Sequence, residues 1–150
     1  MADIVLFHHI LGRTPGVVAI AEELTRAGHT VHVPDLFDGE TCTQLADGFA
    51  HMQSLDPERL RAQVDATVEA LPADLVYAGI SWGVSPAQRL AQTRAGARGA
   101  LFFEACFPVM GEWSFGQWPT GLPVQIHGMD QDEFFALEGE DYDGVFRKLP

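Results

Sequence analysis

Positive charge is scarce in this chain: 9 Lys and Arg residues face 21 Asp and Glu, a formal net charge of -12 over 150 residues. So acidic a surface excludes nucleic acid and anionic membranes as expected partners and favours solubility. Cysteine is nearly absent as well. Cys42 and Cys106 stand outside any CxxC or metal-ligand spacing and are expected to be plain buried thiols, with no metal site. Long apolar runs are missing. Met1-Ala2-Asp3 leads straight into Ile4-Val5-Leu6-Phe7, too short a run for a signal peptide or membrane span, so a cytoplasmic location is expected. No repeat or low-complexity linker divides the sequence, and residues 1–150 are expected to form one domain.

What the chain does have is apolar material for a core, 47% of its residues, arranged in alternating strand-like runs and helical stripes. Asp3 to Phe7 reads as a strand covered on both faces, delivering His8, His9 and Gly12 to its carboxyl end. Thr14 as N-cap, Pro15, and Val17, Ile20, Ala21 and Leu24 on one face predict a helix ended by Gly28. His29 to Val33 reads as a second strand. Residues 40–55 read as a short helix or ordered loop, with Leu45, Phe49 and Met52 at helical spacing and Gly48 as a weakness. Asp56-Pro57-Glu58 opens a helix carrying Leu60, Val64, Val68 and Leu71.

Leu75 to Ile80 is the third strand. The helix after it has Val84, Ala87, Leu90 and Ala91 toward the core, and Gln88, Arg89, Gln92 and Arg94 are expected outside. Gly99 to Phe103 and Val124 to Ile126 are the fourth and fifth strands. Between them Trp113, Phe115 and Trp118 sit in an aperiodic loop that reads equally as a pocket wall and as a cover for the core. Phe134, Phe135 and Leu137 predict one more helical turn, and Glu138 to Gly144 an exposed acidic stretch. Strands alternating with helices imply an α/β fold: a three-layer αβα sandwich on a mostly parallel sheet with right-handed crossovers.

Chemistry is signalled where the third strand runs into Gly79-Ile80-Ser81-Trp82-Gly83. Alone the pentapeptide reads equally as a structural turn; a strand before it and a helix after it favour a nucleophile elbow, with Ser81 pushed out above the sheet edge. The helix then aims its free N–H groups at the hydroxyl, and the Trp82 amide can face a developing oxyanion. Function in parallel sheets collects at the strands' carboxyl ends. His8, His9, Ser81, Glu104 and the stretch from His127 to Asp132 all fall there, and Glu104 is a candidate substrate contact.

With these residues placed, the chain resembles the dienelactone hydrolase family of α/β-hydrolases. The likeness runs through residues 6–16, through Gly28-His29-Thr30-Val31-His32-Val33-Pro34-Asp35-Leu36-Phe37-Asp38-Gly39, through the elbow, and through Ile126-His127-Gly128-Met129-Asp130-Gln131-Asp132. The resemblance implies cleavage of a small-molecule ester or lactone through a covalent acyl-enzyme, without metal or organic cofactor. Members best known for dienelactone cleavage carry cysteine at the elbow, so Ser81 points to the serine-bearing relatives. Carried over by position, Ser81 is the nucleophile, Trp82 and Ile10 supply the oxyanion N–H groups, and Asp132, with Asp130 as fallback, is the acid. His9 takes the place of a polar residue near the nucleophile, either as a substrate contact or as a strand-end side chain bonded to backbone.

One absence cuts against the pattern. The triad of this fold runs nucleophile, acid, histidine, and no histidine follows Asp132. The expected reading is a hydrolase domain lacking its C-terminal strand and helix, with activity impaired because the general base is gone. Alternatively His8, His9, His127 or a partner subunit supplies the base. The exposed sheet edge that such a loss leaves predicts a homodimer or marginal stability. Two other functions stay open: a non-catalytic small-molecule-binding or interaction domain, and a flavodoxin-like nucleotide binder. Against the latter, His8-His9-Ile10-Leu11-Gly12 is no phosphate loop.

Overall fold

A computed structural model describes residues 1–129 of the chain. In chain order the elements are β1 (Asp3–Phe7), α1 (Pro15–Arg26), β2 (Thr30–His32), α2 (Leu45–Ser54), α3 (Pro57–Glu69), β3 (Leu75–Ile80), α4 (Val84–Thr93), β4 (Gly99–Phe103) and β5 (Val124–His127). A short 3-10 turn, Ser81–Gly83, joins β3 to α4. The strands form one sheet in the order β2-β1-β3-β4-β5, parallel at every pairing.

The sheet is apolar on both faces because successive side chains of a strand alternate between them. Ile4 and Leu6 of β1, Ala78 and Ile80 of β3, and Val17 and Ala21 of α1 pack as one cluster. Val5 and Phe7, Leu75 and Tyr77, and Ala100 and Phe102 form the other, against Val64 and Val68 of α3 and Val84, Ala87, Leu90 and Ala91 of α4. That gives the three layers. Phe7, Tyr77 and Phe102 are fully buried, each stabilising the fold by about 1.5–3 kcal/mol.

Local chemistry explains the element ends. Pro15 and Pro57 occupy the first positions of α1 and α3, and the Asp56 carboxylate accepts from the Glu58 amide at 3.0 Å. After β2 the Asp35 carboxylate accepts from the amides of Phe37 and Gly39 at 3.0 and 2.9 Å, folding the turn that brings Leu36 and Phe37 into the core.

Several expectations need correction. Gly48, read as a weakness of α2, has a packing role there. It is the residue of that helix that is buried, while Leu45 and Phe49 are exposed, because a Cβ at Gly48 would lie 2.6 Å from the Ile10 carbonyl oxygen. Gln88, expected outside, is fully buried. Its amide stands in for a strand partner: it donates to the Phe107 carbonyl and accepts from the Phe107 N–H, both at 2.8 Å. Arg94 is half-buried, donating to the Tyr77 hydroxyl and the Val68 carbonyl at 2.9 Å, and Arg89 turns in to Asp65 at 2.6 Å. Thr14 caps α1 without a side-chain hydrogen bond. Cys42 and Cys106 are half-buried, not buried. The expected helical turn at 134–137 and the acidic stretch at 138–144 lie outside the described residues.

Candidate active site at the elbow after the third strand

The strand order reverses between β1 and β3, since β1 leads outward to β2 and β3 leads the opposite way to β4 and β5. Loops leaving such neighbours diverge and open a crevice at their carboxyl ends. The register pairs Phe7 with Gly79, so the loop carrying Ile10 and the turn carrying Ser81 leave side by side.

Ser81 adopts a φ of +49°, left-handed backbone that costs a non-glycine residue about 1–3 kcal/mol and persists only when its surroundings impose it. Two glycines show how they do. A Cβ on Gly79 would strike the Gly83 carbonyl and the Val84 nitrogen inside 3.0 Å. A Cβ on Gly83 would strike the carbonyl oxygens of Phe7 and His8. Main chain cannot yield as a flexible side chain can. The chain therefore folds back at residue 81 because the two small flanking positions let β3, the turn and the end of β1 touch, leaving Ser81 half-buried at the bend. Among the described residues its hydroxyl has no hydrogen-bond partner, and neither the Ile10 nor the Trp82 amide donates to any group.

The Ile10 loop is held from three sides. Gly48 of α2 packs against the Ile10 carbonyl, the Cys42 amide donates to the Leu11 carbonyl at 2.9 Å, and the Gly12 amide donates to the His9 carbonyl at 3.0 Å.

Both histidines of that loop are spent on structure. His8 is fully buried; its Nδ1 lies 2.8 Å from the His9 carbonyl oxygen, and its Nε2 accepts from the Leu36 amide at 3.0 Å. That fixes a neutral ring with the proton on Nδ1. Burial lowers its pKa below the ordinary 6.5. The ring packs edge-on to Phe37 at 4.9 Å and stacks with Trp82 at 5.8 Å, so His8 positions the residue that follows Ser81. His9 accepts from the Leu11 amide at Nδ1, 3.2 Å, and its Nε2 lies 3.4 Å from the Thr14 hydroxyl; burial lowers its pKa too. With two partners each, neither ring is placed as a base for Ser81. His127, exposed at the end of β5, stacks on Phe103 at 5.4 Å.

Glu104 follows β4 with a φ of +61°, and its amide donates to the His127 carbonyl at 2.7 Å, so the residue stands at the same sheet edge. Asp130 and Asp132 lie outside the described residues. His8 is the residue whose role sequence reasoning missed. Its signal was a polar side chain directly after the apolar run Ile4 to Phe7.

No protein-family model matches the chain, and no curated protein does. Solved structures do match. A Klebsiella pneumoniae protein provisionally assigned as a dienelactone hydrolase aligns over 85% of this chain and 60% of its own, at 14% identity and a TM-score of 0.61. A protein named m3DLH aligns over 95% of this chain and 62% of its own, at 21% identity and a TM-score of 0.69. This chain has the α/β-hydrolase fold. A Xanthomonas campestris protein provisionally assigned to the α/β-hydrolase superfamily, at 23% identity, covers 90% of this chain and 75% of its own with a TM-score of 0.55. The chain thus spans about 60% of the length of the first two. Strand order alone would also suit a flavodoxin-like sheet; the glycine-flanked bend at Ser81 marks the α/β-hydrolase elbow.

Proposed function

We propose that this chain is a serine hydrolase of the dienelactone hydrolase kind, cleaving a carboxylic ester or lactone through an acyl-enzyme on Ser81. The left-handed backbone of Ser81, imposed by Gly79 and Gly83, is the observation that carries the reading. Stored strain at a half-buried serine is spent where a hydroxyl must be presented outward.

In this reading the Ser81 oxygen attacks the carbonyl carbon while the Ile10 and Trp82 amides receive the negative oxygen. Collapse expels the alcohol, or opens the lactone ring, and leaves an ester on Ser81 that water then hydrolyses. Asp132 would serve as the triad acid, with His9 and Glu104 beside the substrate. The serine proton needs an acceptor. His8 and His9 are already engaged at both ring nitrogens. With those two rings occupied, acylation is expected to respond to an added base.

The test is labelling of the 150-residue chain with a fluorophosphonate, read by intact mass and peptide mapping. One adduct on Ser81, formed faster when imidazole is added and absent from Ser81→Ala, supports the reading. An unlabelled Ser81 with and without imidazole overturns it. The engaged state of His8 and His9 favours a second reading, a binding domain that keeps the hydrolase pocket without turnover. Saturable ester binding with no adduct would select that reading.

A further inference from the structure

Beside the elbow, between α2, α3 and the start of α4, lies a cavity of about 310 Å³, at the lower end of the range of roughly 300–1,000 Å³ that small-molecule sites occupy. Leu36, Leu60, Val64 and Trp82 form its apolar wall, and Ser85 lies among the polar groups that line it. Trp82 lines it and Ser81 does not, so a molecule seated there leaves the place of the Ser81 hydroxyl free. Among the described residues, the charged ones lining it are Arg61 and Arg89, and no carboxylate does.

Among the described residues, the two guanidiniums share one counter-ion. Arg89 holds Asp65 at 2.6 Å with its side chain 15% exposed, whereas Arg61 stands 4.0 Å from the same carboxylate and is 69% exposed. Asp65 balances one of the two charges and leaves the other at the mouth of an apolar cavity, in a protein whose net charge is -12. A neutral apolar ligand would leave that cation in water with no reason to sit there; an anionic head on an apolar body satisfies both parts of the lining. From this we propose that the cavity is a binding site for a small amphipathic carboxylate, its apolar body against Leu36, Leu60, Val64 and Trp82 and its carboxylate on Arg61 and Arg89.

The inference does not rest on acyl transfer at Ser81. Its test is titration of the full chain with phenylbutyrate, followed by calorimetry and by tryptophan emission, since Trp82 is part of the wall. Wild type and Ser81→Ala should bind one equivalent alike. Arg61→Gln, a change at an exposed side chain, should weaken binding by about tenfold, as loss of a charge-assisted hydrogen bond does. The uncharged phenylbutanol should be weaker on wild type by a similar factor. Leu60→Trp, which fills the cavity, should abolish binding in a protein whose circular dichroism is unchanged. No saturable binding by wild type overturns the proposal, as does binding that Arg61→Gln leaves intact or that phenylbutanol matches. Phosphonate labelling of Ser81 reports on the other reading separately, and either can fail while the other stands.

Discussion

Ser81 holds a conformation that its own side chain disfavours, and this can be measured apart from any reaction. Glycine adopts positive φ freely, while alanine meets the same steric cost as serine. Ser81→Gly should therefore be more stable than Ser81→Ala by about 1 kcal/mol in urea unfolding. Equal stability would mean that the bend is unstrained. His8 gives the second prediction at this scale. Burial keeps the folded imidazole neutral and its pKa below 6.5, with His9 shifted the same way. As pH falls, the unfolded chain takes up these protons first, so the stability they contribute is fully present above about pH 6.5 and is lost as pH drops through the lowered folded values. Melting temperature should fall on mild acidification, and fall less steeply in His8→Asn, which at neutral pH should cost about 1–3 kcal/mol for the disturbed Leu36 and His9 contacts.

Among the elements, the β3-to-α4 connection is the one whose failure is easiest to foresee. A methyl at residue 83 meets two backbone carbonyls that no rotamer change can move aside, so Gly83→Ala should lose at least about 3 kcal/mol by denaturant unfolding. Gln88 plays a different part, tying the segment after β4 to α4. Gln88→Leu leaves the Phe107 N–H and C=O unpaired and should cost about 2–3 kcal/mol, with faster hydrogen exchange at the Phe107 amide as the local readout.

These elements also mark what the sequence could reveal. β1, β3 and β4 were legible to the residue, since a strand buried on both faces is a continuous apolar run with polar or turn residues at its ends. The elbow was legible because glycine on both sides of a serine has a steric meaning. Gln88 was not, because helical periodicity assigns polar side chains to solvent and knows nothing of a loop from a distant part of the chain. Gly48 failed for the same reason: propensity scores it as a defect, and only the Ile10 carbonyl beneath it shows why it is there. The cavity, assembled from three helices and a loop, has no local signature at all.

At the scale of the whole molecule, charge and sheet edges govern behaviour. Among the described residues β5 has β4 on one side and no strand on the other, and the homodimer expected through a sheet edge is a proposal that sedimentation can test. Copies carrying a net charge of -12 repel one another, and salt screens that repulsion. The sedimentation coefficient should rise from monomer toward dimer as ionic strength increases; a monomer at every salt concentration would remove the dimer. No helix of the described residues is long and apolar enough to cross a membrane.

The hydrolase account comes down to one oxygen and two amides. The most direct measurement is a crystal structure of the full chain after phosphonylation. The account predicts phosphorus bonded to the Ser81 oxygen, with a phosphonyl oxygen about 2.7–3.1 Å from both the Ile10 and Trp82 nitrogens. An adduct whose oxygen points into solvent with those two amides bonded elsewhere, or an adduct on any residue other than Ser81, would contradict it.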